Sequence, residues 1–323
     1  MKGSFRPVRP DVSVRVVPFP DSPGEDVGPR ILRSIAVLRA AFDPTGYDIV
    51  HAQDCISANA VDTCLRTVHH IDHFTTPELA ACHERAIVRP LAHVCVSEAV
   101  AGELFRGWGI TATVIPNGVD AGRFAAAAGP GSAPQRARWR ARLGRYVLTV
   151  GGIEPRKGSM DLLEAYALLR AEVPGTRLVI AGGETLFDYR GYREEWDRRA
   201  AQLHADPVVL GPVPDADLPP LVAAAGAFAF PSVKEGFGLA AMEALAAGVP
   251  LVARDLPVLR ETLGPAARFA SGPAGLATEL AAALASPDPA RRAAGRDVAA
   301  RYTWDAAAQR HLDLYATLVA RRP

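Results

Sequence analysis

The chain of 323 residues contains no uninterrupted apolar run approaching a membrane span, which needs ~20 such residues. Its opening stretch, MKGSFRPVRPDVSVRVVPFP, lacks the apolar core of a secretory leader. An excess of one charge is missing too: 36 Lys+Arg face 35 Asp+Glu, for a net charge of +1. That balance excludes a nucleic-acid binder working through bulk positive charge. Cysteine is scarce, and the 4 present, Cys55, Cys64, Cys82 and Cys95, form no C-x-x-C pair and no regular spacing. Reduced, mostly buried thiols and a cytoplasmic location are therefore expected, with membrane contact only through a substrate. What is there in quantity is core material. Hydrophobic residues make up 49% and charged residues 22%, and at roughly 100–200 residues per domain the length suits two domains, each with its own core.

Strand-like and helix-like segments alternate along the chain. VSVRVVPF at Val12 to Phe19 has the β-branched content of a strand, PDSPGEDVGPR breaks it, and ILRSIAVLRAAF at Ile31 to Phe42 has helical periodicity. Short apolar runs of the buried parallel-strand kind follow at Tyr47 to Ala52, Leu65 to His69, Val94 to Ser97 and Ala112 to Pro116. A small-residue stretch that turns basic, AAAAGPGSAPQRARWRARLGR, then separates a second and clearer series: YVLTVGG, RLVIAGG, PVVLGPV, GAFAFPS and VPLVARD, each closed by Gly or Pro and passing into a helix. This is the pattern of α/β units around parallel sheets. It predicts a first domain over 1–128, a linker over 129–145, a second domain over 146–302 and a final helix over 303–323.

Two motifs carry chemistry. In Val150-Gly-Gly-Ile-Glu-Pro-Arg-Lys-Gly-Ser159, a buried strand runs into Gly151 and Gly152, and Arg156 and Lys157 stand between that strand end and a helix start. Close-approaching backbone N–H groups and a helix N-terminus both favour an anion; a surface turn with two solvated cations is the alternative. The spacing is not that of a Walker A loop. In Phe230-Pro-Ser-Val-Lys-Glu-Gly-Phe-Gly-Leu, continuing to Glu243 and Pro250, a strand, a tight loop and a helix place Glu235 at the loop and Glu243 inside the helix. Carboxylates accept paired, charge-assisted hydrogen bonds from vicinal hydroxyls; a solvated loop Glu235 and a helix-capping Glu243 are the plainer reading. His69, His70, Asp72, His73 and His83 suggest a metal, but at a spacing that fits no common site, so none is expected. His51 reads as a strand-end core histidine.

Glu235 and Glu243 in Glu-x7-Glu spacing, the R-K-G loop, IPNGVD at Ile115 to Asp120 and FPS before Glu235 together resemble the retaining nucleotide-sugar glycosyltransferases of family 4. HAQD at His51 to Asp54, TVHHIDHF at Thr67 to Phe74 and HVCVSEAVA at His93 to Ala101 are similar to an actinobacterial, mycobacterium-named subgroup. The resemblance implies the α/β GT-B fold of two facing Rossmann-like domains, with no cofactor and no metal. It implies a nucleotide diphosphate sugar as donor, a hydroxyl acceptor of unknown identity and, where that acceptor is a lipid, peripheral membrane contact. Arg156 and Lys157 would neutralise the diphosphate beside Gly151 and Gly152, and Glu243 would hold the ribose diol. Glu235 with Gly236, Phe237, Gly238 and Leu239 would hold the transferred sugar and distal phosphate, and Gly211 and Val213 would lie near the base. His69 would face the sugar, and Asp54 and Ser97 would line the acceptor side. Transfer would proceed by front-side attack, without a covalent glycosyl-Glu235. Relative to the family pattern the chain starts after the first strand, glycine loop and helix, so an incomplete first sheet and weak turnover are expected. An inactive nucleotide-sugar binder is the competing reading, and a GT-B epimerase a weaker one.

Overall fold

The computed structural model describes residues 8–20, 22, 24–72, 74, 76–183, 189–286 and 288–321. The chain divides into two units: one runs to Ile115 and takes up the chain again from Gln309, and the other is Pro116–Ala308.

In the first unit a four-stranded parallel sheet has the order β1-β2-β3-β4, with β1 His51–Ala52, β2 Leu65–Val68, β3 Ala92–Cys95 and β4 Thr113–Val114. Every residue of β2 is buried, Arg66 and Thr67 included, as befits a parallel strand covered on both faces. The helices Cys55–Asn59, Pro77–Val88 and Glu98–Trp108 follow β1, β2 and β3. Val12 to Phe19 is not a strand: Val12, Val14 and Val16 are more than half exposed, at 53%, 60% and 54%. β-Branched composition supplies a preference only, and without a sheet edge to pair with it does not make a strand. Tyr47 to Ala52 contributes only the two residues of β1, and Tyr47 is exposed.

The second unit holds a six-stranded parallel sheet in the order β10-β9-β8-β5-β6-β7, from β5 Arg145–Val150, β6 Thr176–Ala181, β7 Val208–Gly211, β8 Ala227–Phe230, β9 Leu251–Arg254 and β10 Arg268–Ala270. Counted within the unit this is the doubly wound order 3-2-1-4-5-6. The first strand, β5, lies between β6 and β8, so the loops leaving β5 and β8 diverge to opposite sides and open a crevice at the carboxyl edge. The core joins Val147, Leu178 and Ile180 of the sheet to Leu162, Tyr166 and Leu169 of the helix Ser159–Glu172 and to Trp196. The Ala-rich helix Gly272–Ala285 packs on that same helix.

The expected boundary and linker need correcting. The helix Ala121–Ala128 packs on the helices Leu218–Ala224 and Leu239–Ala246, which brings the chain from Pro116 into the second unit. Residues 129–145 are no flexible linker: 133–143 form a helix that buries Leu143 and also packs on Leu218–Ala224. At the other end, the helix Trp304–Ala320 starts in the second unit, while from Gln309 its residues belong to the first. There the Arg310 guanidinium donates to the Val114 carbonyl at 2.6 Å and Tyr315 meets His51.

Candidate functional site

The two loops at the β5/β8 crevice are fastened to each other by backbone. After β5 the chain passes through Gly151 and Gly152 into a single 3-10 turn, Pro155–Lys157, and then into the helix Ser159–Glu172. Gly158 closes that turn with φ +63° and runs so close to the β8 loop that a Cβ there would stand 2.2 Å from the Pro231 carbonyl oxygen. Beside it the Val233 amide donates to the Arg156 carbonyl at 2.9 Å. Gly182, after β6, is equally constrained: its Cβ would lie 2.3 Å from the Gly151 oxygen. Its amide donates to the Gly211 carbonyl at 2.9 Å, and the Gly151 amide donates to Ala181 at the same distance. The loops after β5, β6 and β7 are thus stacked backbone on backbone, and Val213 follows Gly211 on the outermost.

On this scaffold Lys157 and Glu235 meet. The Lys157 ammonium donates to Glu235 Oε1, which also accepts from the Ser232 hydroxyl at 3.1 Å and lies 3.6 Å from the Arg156 guanidinium. Arg156 reaches a second carboxylate, the buried Glu154, at 3.6 Å. The cations are therefore held by carboxylates, one of them steadied by a hydroxyl, instead of hanging in solvent: the Lys157 side chain is 21% exposed and that of Glu235 11%. Charge-assisted bonds of this kind fix a side chain better than neutral ones. Past Glu235, Gly236 and Phe237 are buried, the Phe237 carbonyl accepts from Thr262 Oγ1 at 3.1 Å, and its ring meets Tyr302 edge-on at 5.2 Å. Gly238 then starts the helix Leu239–Ala246, whose first-turn amides end the helix toward the loop. Glu243 is half-buried four residues past Leu239, a separation that puts both on one helical face.

Residues that sequence reasoning did not assign complete the frame. Arg254, at the end of β9, donates to the Pro231 carbonyl at 2.7 Å and to Asp161 at 2.5 Å, bolting the β8 loop to the helix after β5. Ser159 donates to the Glu154 carbonyl at 3.1 Å, while Tyr192 receives the Met160 amide at 3.1 Å. The only hint in sequence was an Arg-Asp pair ending a buried strand.

The three candidates of the first unit each have a partner within that unit. Asp54 caps the helix Cys55–Asn59, its carboxylate accepting the Ser57 amide at 2.6 Å and hydroxyl at 2.8 Å. The buried Ser97 caps Glu98–Trp108 by accepting the Val100 amide at 3.2 Å. His69 follows β2, with Nε2 3.2 Å from Gln53 Oε1; burial, then the neighbouring His70, holds its pKa below the usual imidazole value. His51 bridges Tyr315 Oη at 2.6 Å and Thr67 Oγ1 at 2.7 Å, with its pKa depressed to about 4, chiefly by burial. Among the described residues no three His, Cys, Asp or Glu side chains gather as metal ligands; His73 lies outside the described residues.

Comparison with known proteins follows the two units. Residues 135–294 match the family described as Glycosyl transferases group 1, and residues 2–123 match Glycosyltransferase Family 4. A phosphatidyl-myo-inositol mannosyltransferase of Mycobacterium leprae is 32% identical over 257 residues, 76% of this chain and 65% of that protein. The O-antigen chain mannosyltransferase B of Escherichia coli is 41% identical over 129 residues, 38% of this chain and 31% of its own length. This chain thus spans 65% of the length of the mycobacterial relative. Among solved structures, Anabaena HepE in complex with UDP and glucose superimposes with a TM-score of 0.71 at 20% identity, covering 90% of this chain and 82% of that one. That likeness supports the fold, the α/β GT-B class with two Rossmann-like units.

Proposed function

This chain belongs to glycosyltransferase family 4, and on that premise we propose that it moves a sugar from a nucleotide diphosphate sugar to an acceptor hydroxyl with retention at the anomeric carbon. The observation that carries the proposal is the Lys157–Glu235 junction, with Arg156 beside it, at the crevice where β5 and β8 diverge. As the bond from sugar to diphosphate lengthens, negative charge accumulates on the leaving phosphate and positive charge on the anomeric carbon. Lys157 and Arg156 stabilise the first of these, and fixed cations act most where charge is greatest, in the transition state. Glu235 keeps one lone-pair face for sugar hydroxyls while it holds Lys157, and Glu243 takes the ribose diol. Gly211 and Val213 flank the base. His69 stands as the residue facing the sugar, and Asp54 and Ser97 as the acceptor-side residues of the proposal, the last two also capping helices.

The relatives' named activities bring a mannosyl donor and a lipid-linked acceptor into the proposal. No helix among the described residues is long and apolar enough to cross a membrane, so a lipid acceptor would be met at a membrane surface. The test is titration and turnover with a panel of nucleotide sugars, GDP-mannose first, for the full chain and for Lys157→Ala and Glu243→Ala. Losing one charge-assisted hydrogen bond costs about 1.5–3 kcal/mol, so each variant should lose roughly tenfold to a hundredfold in donor binding or turnover. Wild-type behaviour in both rejects the site. Proton NMR of the product's anomeric centre decides the stereochemistry, and inversion rejects the retaining reading.

A further inference from the structure

A concentration of unbalanced charge in the second unit lies away from the β5/β8 crevice, at the amino-terminal edge of the same sheet. There a cavity of about 570 Å³ is lined by Arg136, Arg140, Arg145, Arg292 and Arg296, together with Gly144, Gly226 and Pro250, which lead into β5, β8 and β9. Its size falls within the ~300–1,000 Å³ of small-ligand sites. No Asp or Glu lines it, and among the described residues none of the five arginines forms an ion pair. The whole chain carries a net charge of only +1, so five cations around one cavity are a local asymmetry and not a sample of the average surface.

Part of the arrangement is helix capping. Arg136 donates to the carbonyls of Ala127 and Gly129 at 2.5 and 2.7 Å, Arg145 to Leu284 at 2.7 Å, and Arg140 to Ala224 at a long 3.4 Å. These carbonyls end three helices, whose C-termini supply roughly half a negative charge each. Three such ends offset about one and a half of five positive charges. Each guanidinium also has about five N–H donors, and capping occupies one or two of them. Among the described residues Arg292 and Arg296 cap no helix, and the Arg296 guanidinium lies so close to Gly248 that a Cβ there would stand 2.5 Å from its terminal nitrogen. Gly248, with φ +69°, is thus a seat for that cation. Guanidinium groups gathered without counter-charge repel one another, and that repulsion is relieved by an anion able to meet several planar donor forks together.

We propose that this cavity binds a multiply charged phosphate group, a pyrophosphate or clustered phosphates, on the edge of the sheet opposite the Lys157–Glu235 loops. The group's source is a soluble phosphorylated compound or the headgroup of a phosphate-bearing lipid, and the experiment separates them. The full chain is titrated with inorganic pyrophosphate by calorimetry and thermal shift, and is sedimented with vesicles of phosphatidylglycerol in phosphatidylcholine. The same measurements are made on Lys157→Ala, which removes diphosphate binding at the β5/β8 crevice, and on Arg140→Glu and Arg292→Glu each added to Lys157→Ala. The expected result is binding that remains in Lys157→Ala and falls at least about tenfold, or 1.4 kcal/mol, when either charge reversal is added, while each reversal made alone in the wild type leaves donor affinity unchanged. Pyrophosphate binding with this signature identifies the soluble source; vesicle binding alone with the same signature identifies the headgroup. Binding in the Lys157→Ala background that survives both reversals, or no binding to either probe once Lys157 is gone, overturns the proposal. Arg140 and Arg292 are exposed and lie outside the core, so reversal should leave the unit folded, and an unshifted melting temperature without ligand verifies it.

Discussion

Gly158 offers a test in which geometry alone sets the size of the effect. Gly158 and Gly175, the latter in the turn before β6, are both held in left-handed backbone, at φ +63° and φ +76°. A Cβ on Gly175 would meet nothing within 4 Å, whereas one on Gly158 would stand 2.2 Å from the Pro231 oxygen and 3.1 Å from an Arg254 nitrogen. Gly175→Ala therefore pays only the left-handed penalty, ~1–2 kcal/mol, partly offset by a stiffer unfolded chain. Gly158→Ala carries that penalty and an overpacking cost of ~1–3 kcal/mol besides, for roughly 2–5 kcal/mol in all. The clash is with backbone, so it is relieved only by separating the two loops by about an ångström. That shift breaks the bond from the Val233 amide to the Arg156 carbonyl and draws Lys157 away from Glu235. Urea unfolding should show Gly158→Ala losing at least about 1 kcal/mol more than Gly175→Ala, and nucleotide titration should show only the first losing affinity. Equal stability losses, or a Gly158→Ala protein that binds nucleotide as the wild type does, would refute the claim that this crossing positions the site.

The second unit was legible in sequence because β5, β6, β7 and β8 each end at a Gly or Pro before a helical stretch, punctuation that depends on local backbone rules, whereas the three-residue β10 left no such mark. The first unit was less so. Its strands β1 and β4 are two residues each, too short to leave a periodic signal, and Val12 to Phe19 has the composition of a strand without a pairing partner. Asp54 and Ser97 were read for the acceptor, yet D-x-x-S and S-E-A-V carry the ordinary mark of a helix start. At the site, the residue types were readable but their pairing was not. Lys157 and Glu235 are 78 positions apart, and Arg254 and Asp161 93; contacts at such separations come from strand order, which no local pattern records.

Acid should weaken the first unit through His51. Its folded pKa, about 4, lies below the ordinary value of 6.5, so the unfolded chain takes the proton first as pH falls. The stabilisation is complete above about pH 6.5 and is lost down to about pH 4; discounted for partial exposure it is ~2 kcal/mol. His51→Gln should flatten that part of the pH–stability curve in urea titrations, and an unchanged slope would exclude His51 as its source. Excess EDTA should leave turnover intact, because Arg156 and Lys157 supply the charge a metal would bring; loss restored by added magnesium would contradict this. The last expectation concerns what Glu235 is for. If it acts by holding Lys157, then once Lys157 is gone Glu235 has little left to do for the diphosphate, and the two losses must overlap. If instead it serves the sugar alone, Glu235→Gln by itself costs the sugarless ligand nothing; and if it touches the diphosphate itself, the losses are independent and their free energies add, as they do for residues without a shared partner. The cycle Lys157→Ala, Glu235→Gln and the double variant, read as affinity for the nucleoside diphosphate without sugar, separates these roles, and Glu235→Gln alone is expected to weaken that affinity. The shared bond and the Ser232 contact to the same carboxylate oxygen predict a double variant no weaker than Lys157→Ala by more than about threefold, below 1 kcal/mol. Full additivity would mean that Glu235 contacts the ligand directly, and that its pairing with Lys157 does not organise the phosphate subsite.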